Sequence, residues 1–313
     1  MPMEESLAHQ PVLYNEIIHF LQPQRSGRYI DGTVGAGGHA RGILDASEPD
    51  GILLGLDLDT TALELARKNL ESYQDRVFLV HSSFGNLRKQ LNAMGWQMVD
   101  GILLDLGLSS MQIDTPGRGF SFRQEASLDM RFNQQNPLSA KDLVNNLPEG
   151  ELADLLFKYG EERRSRQVAK AIVKSRPIES TLELAKIIAS ATSSGRPGRH
   201  PATRSFQALR IAVNDELSVL EKVLPQAISS LKQNGRLAVI AYHSLEDRIV
   251  KHYFRQESQD CICPPEQIVC ICGHEAAVKV ITKRPIRPQE DEIIRNSRAR
   301  SARLRVVEKL TIE

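Results

Sequence analysis

Three carboxylates and one glycine loop stand out in the first 110 residues. The stretch YIDGTVGAGGH (29–39) begins with two apolar residues and Asp31, and it ends on Gly35, Gly37, Gly38 and His39. Asp57 lies 19 residues beyond Gly38, and Asp105 closes the apolar run in ILLDLGLSS, residues 102–110. Glycines between a strand and a helix let backbone amides approach a ligand at the helix N-terminus. An acid at the tip of the following strand suits ribose hydroxyls. No Gly-Lys-Ser/Thr follows the loop, which excludes the Walker phosphate pattern.

Asp105, Ser109 and Ser110 fall where a fourth strand should end, at the carboxyl edge of a sheet. An acid and hydroxyls there can align an attacking amine and accept its hydrogen bonds. The same residue types also serve as turn caps. His243 follows a fifth apolar run; it is a candidate for proton removal or, equally, a cap on that strand's exit.

These residues need a scaffold, and the pattern around them supplies one. Tyr29–Ile30, Ile52–Leu56, Val77–Val80 and Ile102–Leu104 are apolar throughout, as strands covered on both faces are. Between the second and third, Thr60–Tyr73 has helical spacing, with Thr60 or Thr61 as expected N-cap. Strand and helix alternate, which predicts an α/β domain with a parallel sheet. From about Asp114 the strands stop, and helices are expected over Glu151–Gly160, Gln167–Lys174 and Leu182–Thr192. A long helix over Glu216–Lys232, ended by Asn234-Gly235, leads back to a buried strand at Arg236–Ala241. A further helix, Leu245–Gln256, and two alternating stretches, Val278–Thr282 and Ala302–Val307, complete the chain. The expected organisation is one α/β domain in two segments, 1–113 and 216–313, with a helical domain inserted at 114–215.

With 313 residues, 41% apolar and 25% charged, the chain has the profile of an ordinary globular protein. The acidic start and the lack of a long apolar run predict a cytoplasmic protein with no membrane contact. Net charge is only +1, but Arg196, Arg199, Arg204 and Arg210 form one basic run. Lys283–Arg305 holds eight basic residues against three acids. Such runs either contact RNA phosphates or are solvated faces. Phe120, Phe122 and Tyr242 are candidates to receive an unstacked base, although aromatic residues are more often core.

All four cysteines lie in CICPPEQIVCICGH, at 261, 263, 270 and 272. Four thiolates can hold a structural zinc, yet zinc pairs usually have wider spacing, and two pairs of small buried thiols on a turn at Pro264-Pro265 are the alternative. No metal site is assigned from sequence.

The spacing Asp31-x-x-x-Gly35-x-Gly37 resembles the class I methyltransferase loop, with Thr33 where the first glycine usually stands. An adenosine with a charged amino-acid tail is therefore expected, in preference to a phosphate. GAGGH (35–39), LLDLGLSS (103–110), RGFSF (118–122), LDMR (128–131), YGEER (159–163), HPATRSFQALRIAVN (200–214) and HSLEDRIVK (243–251) together resemble the RsmH, formerly MraW, family of 16S rRNA cytosine-N(4)-methyltransferases. The resemblance runs from His9 to about Lys309. It implies a class I, Rossmann-like sheet with an inserted helical domain, S-adenosylmethionine as methyl donor, and a cytidine of the small ribosomal subunit's 16S rRNA as acceptor. No obligate protein partner is inferred. Its cofactor contacts would be Gly37, Gly38, His39, Asp57, Phe84, Asp105 and Gln112, and Phe84, just past the third strand, independently suits an adenine ring. Tyr242, where many members have Phe, and Asn296-Ser297, where Asn-Pro is usual, depart from the pattern. A methyltransferase acting on DNA or another RNA, and a subunit-binding assembly factor, are the competing readings.

Overall fold

The computed structural model describes residues 11–109, 112–113, 115, 117–192, 200–267 and 269–311. The chain divides into two compact units. One comprises residues up to Gly107 and from Val219 onward, and the other is Leu108–Ser218. The divisions fall at 107/108 and 218/219, against 113/114 and 215/216 expected from sequence. The later break lies inside the helix Glu216–Ser230, where no breaker residue marks it.

The first unit is built on seven strands: β1 (Arg28–Asp31), β2 (Ile52–Asp57), β3 (Val77–His81), β4 (Val99–Asp105), β5 (Leu231–Ala241), β6 (Val278–Val280) and β7 (Arg303–Lys309). Their order is β3-β2-β1-β4-β5-β7-β6. Neighbours among β1–β5 run parallel, while β7 is antiparallel to both β5 and β6. This is the sheet of a class I methyltransferase. Its chain winds outward through β2 and β3, then returns to start the other half at β4. The reversal between β1 and β4 creates a crevice at their carboxyl ends, where ligands of open α/β sheets bind.

Alternate residues of each strand face opposite layers, and both layers are covered. Leu54, Ile102, Leu104 and Val239 pack with Leu87, Leu91, Leu224 and Phe254 from helices on one face. Leu53, Leu103, Ala238 and Ile240 pack with Ile17, Ile43, Leu63 and Ala66 on the other. Two-sided burial explains why these strands read as unbroken apolar runs.

Two local expectations are corrected. The helix after β2 spans Thr60–Asn69, and its N-cap is Asp59, whose carboxylate accepts the Thr61 amide at 3.0 Å. Asp59 sits in the β region, one residue earlier than the threonines, so its short side chain reaches over the first turn. Tyr73 belongs to a separate 3₁₀ segment, Glu71–Arg76. Asn234-Gly235 does not precede β5 but lies within it, where the register against β4 jumps from Val99↔Leu231 to Gly101↔Arg236. Asn234 takes a left-handed φ of 61° at that bulge.

The second unit contains the helices Ala140–Asn146, Glu149–Gly160, Ser165–Lys174, Thr181–Ala191 and Thr203–Asn214. Leu152, Leu156, Val168, Ile172, Leu184, Ile188, Phe206 and Leu209 form its core. Ser139 and Asp142 make a reciprocal capping box at the first of these helices.

Candidate active site

β1 delivers Asp31 to the crevice with only 1% of its surface exposed. Its Oδ1 accepts the Thr33 amide at 3.1 Å. Thr33 in turn accepts the Asp105 amide on Oγ1 at 2.7 Å, and Gly32 donates to the Leu103 carbonyl at 2.9 Å. The residue that replaces the usual first glycine thus ties the loop to β4. Beyond it, Gly35 donates its amide to Asp57 Oδ2 at 2.9 Å, while Asp57 Oδ1 accepts the Asp59 amide at 2.9 Å. Gly37 caps the helix Gly38–Ala46 with φ of 88°, a conformation costly for any residue with a side chain. A Cβ on Gly38 would come within 2.4 Å of Pro11 Cγ, so the helix start is packed closely against the N-terminal segment.

Asp105 ends β4 with 23% of its side chain exposed. Its Oδ1 accepts the Tyr242 hydroxyl at 2.9 Å. Its Oδ2 is 3.7 Å from His39 Nδ1. His39 Nε2 lies 3.0 Å from the Val12 carbonyl, which can only accept, so Nε2 carries the proton and Nδ1 the lone pair. Burial holds this imidazole below its usual pKa and therefore neutral.

Burial pushes the Asp31 carboxyl up to about 7; the charges of Asp105 and Asp57 add to the rise, and His39 and the Thr33 amide oppose it. Asp105 is also pushed up to about 7, first by burial and then by Glu246, against the Tyr242 hydrogen bond. Asp57 is raised by burial despite its two amide donors. Burial is the largest cause for all three acids, and Asp31 also feels the charges of Asp57 and Asp105 beside a neutral histidine, an arrangement that favours a cationic ligand over a phosphate.

The chain matches the MraW methylase family over residues 6–310. It belongs to that family. It is 51% identical over 303 residues to the ribosomal RNA small subunit methyltransferase H of Dehalococcoides mccartyi, covering 96% of this chain and 86% of that one. The protein of that name from Carboxydothermus hydrogenoformans is 50% identical, with 97% and 98% covered. The one from Thermomicrobium roseum is 49% identical, with 97% and 94% covered.

Within this family member, the first unit brings Gly37, Gly38, His39, Asp57, Phe84 and Asp105 to the carboxyl edge around β1, β2 and β4. Phe84 is half-buried at the start of a 3₁₀ turn after β3, capped by Ser83. Ser109 and Gln112 belong to the second unit, where the Gln112 amide donates to Ser109 Oγ and the Ser109 amide donates to Gln112 Oε1, each at 3.1 Å. Ser110 lies outside the described residues.

His243 occupies a cap position. It is the N-cap of the helix Ser244–Glu257, with Nδ1 accepting the Glu246 amide at 3.3 Å and Glu246 returning bonds to the Tyr242 and His243 amides. Its other ring nitrogen, Nε2, lies 3.2 Å from Glu246 Oε1. Phe120 is core, stacked with Phe132 at 5.7 Å, and Phe122 stacks on His200 at 4.5 Å. Tyr242 is held by Asp105. Of the three aromatics, Phe120 and Phe122 have ring partners within the second unit, and Tyr242 engages Asp105 through its hydroxyl.

The basic runs also divide. Arg210 is paired with Glu216 at 2.8 and 2.9 Å, and Arg303 and Arg305 are paired with Asp247 at 3.1 and 2.7 Å. Lys283, Arg284, Arg287 and Arg300 are exposed. Arg196 and Arg199 lie outside the described residues. The cysteines are not buried: three are exposed and Cys263 is intermediate.

Sequence reasoning missed Tyr242 as the partner of Asp105, 137 residues away, and Thr33 as the link between β1 and β4. No local pattern signals either bond. The departure at Thr33 was visible; its purpose was not.

Proposed function

We propose that this chain transfers a methyl group from S-adenosylmethionine to the exocyclic N(4) amine of a cytidine in 16S rRNA, met in the small ribosomal subunit in the cytoplasm. The observation that carries this reading is the acidic crevice of Asp31, Asp57 and Asp105 beneath the glycine loop. S-adenosylmethionine supplies an electrophilic methyl on a sulfonium, and its sulfonium and ammonium charges suit that field. Asp31 faces the amino-acid end, Asp57 takes ribose hydroxyls on lone pairs its amide donors leave free, and Phe84 flanks the adenine. Gly37, Gly38 and His39 bring backbone close to the ligand.

The cytosine amine is a weak nucleophile because its lone pair is delocalised into the ring. What it needs from the protein is alignment and an acceptor for its N–H. Asp105 provides that acceptor, and its elevated pKa suits it to take the proton released as the N–C bond forms. Ser109 is proposed as an acceptor-side contact and Gln112 as a cofactor contact, on the family's pattern alone. Lys283, Arg284, Arg287 and Arg300 supply an exposed cationic surface for RNA phosphates. No helix among the described residues is long and apolar enough to cross a membrane, which accords with this setting.

The test is transfer of labelled methyl to small subunits lacking the modification, with naked rRNA and DNA in parallel, followed by nucleoside analysis. N(4)-methylated cytidine from subunits is the expected product. Label in DNA alone, or no label despite cofactor binding, would refute the reading.

A further inference from the structure

Residues 258–277, between the helix Ser244–Glu257 and β6, contain no helix or strand among those described. The base of this loop is closed by the Ala277 amide on the Glu257 carbonyl at 2.8 Å and by His274 Nε2 on the Gln256 carbonyl at 3.1 Å. Among its described residues, Ile262, Val269 and Ile271 are 42%, 70% and 76% exposed, and Ala277 at its end packs against the core. Hydrophobic burial therefore does little to hold the described part of the segment.

Four sulfurs occupy its centre instead. The Sγ atoms of Cys261, Cys263, Cys270 and Cys272 all lie within 4.8 Å of one another. Cys270 and Cys272 are 3.5 Å apart, Cys272 and Cys261 3.9 Å, and all four thiols are free. Zinc–sulfur bonds of about 2.3 Å in a tetrahedron place the sulfurs about 3.8 Å from one another. The observed set has that size. A two-iron cluster needs its two cysteine pairs on separate, sulfide-bridged metals and so a wider ring.

The one-residue spacing within each pair does not keep the sulfurs apart: both cysteines of each Cys-Ile-Cys reach the cluster, while Ile262 and Ile271 stay exposed to solvent. Backbone amides also point at the sulfurs: Ile262 donates to Cys272 Sγ at 3.5 Å and Cys263 to Cys261 Sγ at 3.4 Å. Such donors offset the negative charge that accumulates when four thiolates share one cation.

We propose that Cys261, Cys263, Cys270 and Cys272 hold a single structural zinc ion that pins the 258–277 loop. Four thiolates complete the tetrahedron, so no position is open for substrate, and soft sulfur donors favour zinc over oxygen-loving cations. The absence of a metal site from the sequence reading followed from the unusual spacing, yet the folded loop brings all four sulfurs together.

The full chain, produced with zinc in the medium and purified reduced without chelator, should contain about one zinc per molecule by mass spectrometry. Exchange with cobalt(II) should give sulfur-to-metal charge transfer and the visible bands of a tetrahedral tetrathiolate. Both should fall to background in the Cys263→Ser/Cys270→Ser chain, while calorimetric binding of S-adenosylmethionine persists as proof of folding. Zinc content below about a tenth of an equivalent with no cobalt spectrum, iron in place of zinc, zinc retained by the double variant, or disulfides in rapidly alkylated lysate would each overturn the proposal. If the double variant does not fold, the cobalt spectrum of the unaltered chain decides alone, because its intensity counts the thiolates.

Discussion

At the carboxyl edge of the sheet and in the cysteine loop, the same problem of holding reactive atoms in place has opposite solutions. Asp31 and Asp105 sit at the tips of adjacent strands, anchored through Thr33 and Tyr242 and walled by a continuous core. The four sulfurs sit in exposed chain with no core beneath them. Burial gives the first site perturbed acids and a field that selects its ligand. The second lacks burial, and a cation must supply the cohesion that packing does not. Perturbing one site should therefore leave the other largely untouched, and five measurements probe that separation.

The largest effect is expected at Asp105. Asp105→Asn keeps the shape but removes the proton acceptor, and methyl transfer to small subunits should drop by about 10²-fold or more. Metal content of the cysteine loop should not change. Turnover within threefold of the parent would remove Asp105 from the chemistry.

The next concerns pH. Asp31 and Asp105 are raised to about 7 in the folded protein. Stability from these groups is complete below the ordinary carboxylate range and is lost as pH climbs through 7. A tenfold difference in proton affinity between the folded and unfolded chain corresponds to about 1.4 kcal/mol, so a few kcal/mol should disappear between about pH 5 and about pH 8. Urea midpoints of the ligand-free protein across that range should fall, and Asp31→Asn should flatten the slope. A midpoint that rises with pH would contradict the assignment. Binding of S-adenosylmethionine, which favours the ionised acids, should strengthen over the same interval and release protons.

Asp57→Ala leaves the Gly35 amide without its acceptor. A cost of about 1–3 kcal/mol is expected, read as roughly tenfold or greater loss of cofactor affinity by calorimetry. An unchanged affinity would show that Asp57 neither shapes the loop nor meets the ligand.

For the cysteine loop, removing the metal with a thiol-specific mercurial and chelator should speed proteolytic cleavage within 258–277 by about tenfold. Cofactor affinity should stay within about twofold, since this loop meets the core behind the sheet through Ala277 at its end and not through the cysteines. Equal loss at both sites would erase the contrast drawn between them.

The smallest effect is expected from Tyr242→Phe. Without its hydroxyl, Asp105 loses the hydrogen bond that lowers its pKa. The acidic limb of the pH–rate profile should move upward by up to about one pH unit, with a change of only a few fold at about pH 8. A downward movement would reverse the assigned role of that bond.

Much of the fold was legible because buried parallel strands write themselves as short apolar runs, and Gly35, Gly37 and Gly38 mark the turn after the first of them. The order of the strands was not, since pairing is a long-range choice between equally apolar segments. Helix ends were less legible than helices: Asp59 and Thr60 are both acceptable caps, and backbone conformation selects between them. Charge runs misled for a similar reason. Arg210, Arg303 and Arg305 read as cationic surface until Glu216 and Asp247 are placed against them.

The sequence by itself determined the family, the α/β class, the glycine loop and the acids Asp31, Asp57 and Asp105, because residue type and local spacing carry that information along the chain. Only the tertiary structure decided that Tyr242 bonds Asp105, that His243 caps a helix, and that two Cys-Ile-Cys pairs converge on one point. Those facts depend on distances between residues far apart in sequence, and such distances exist only once the chain has folded.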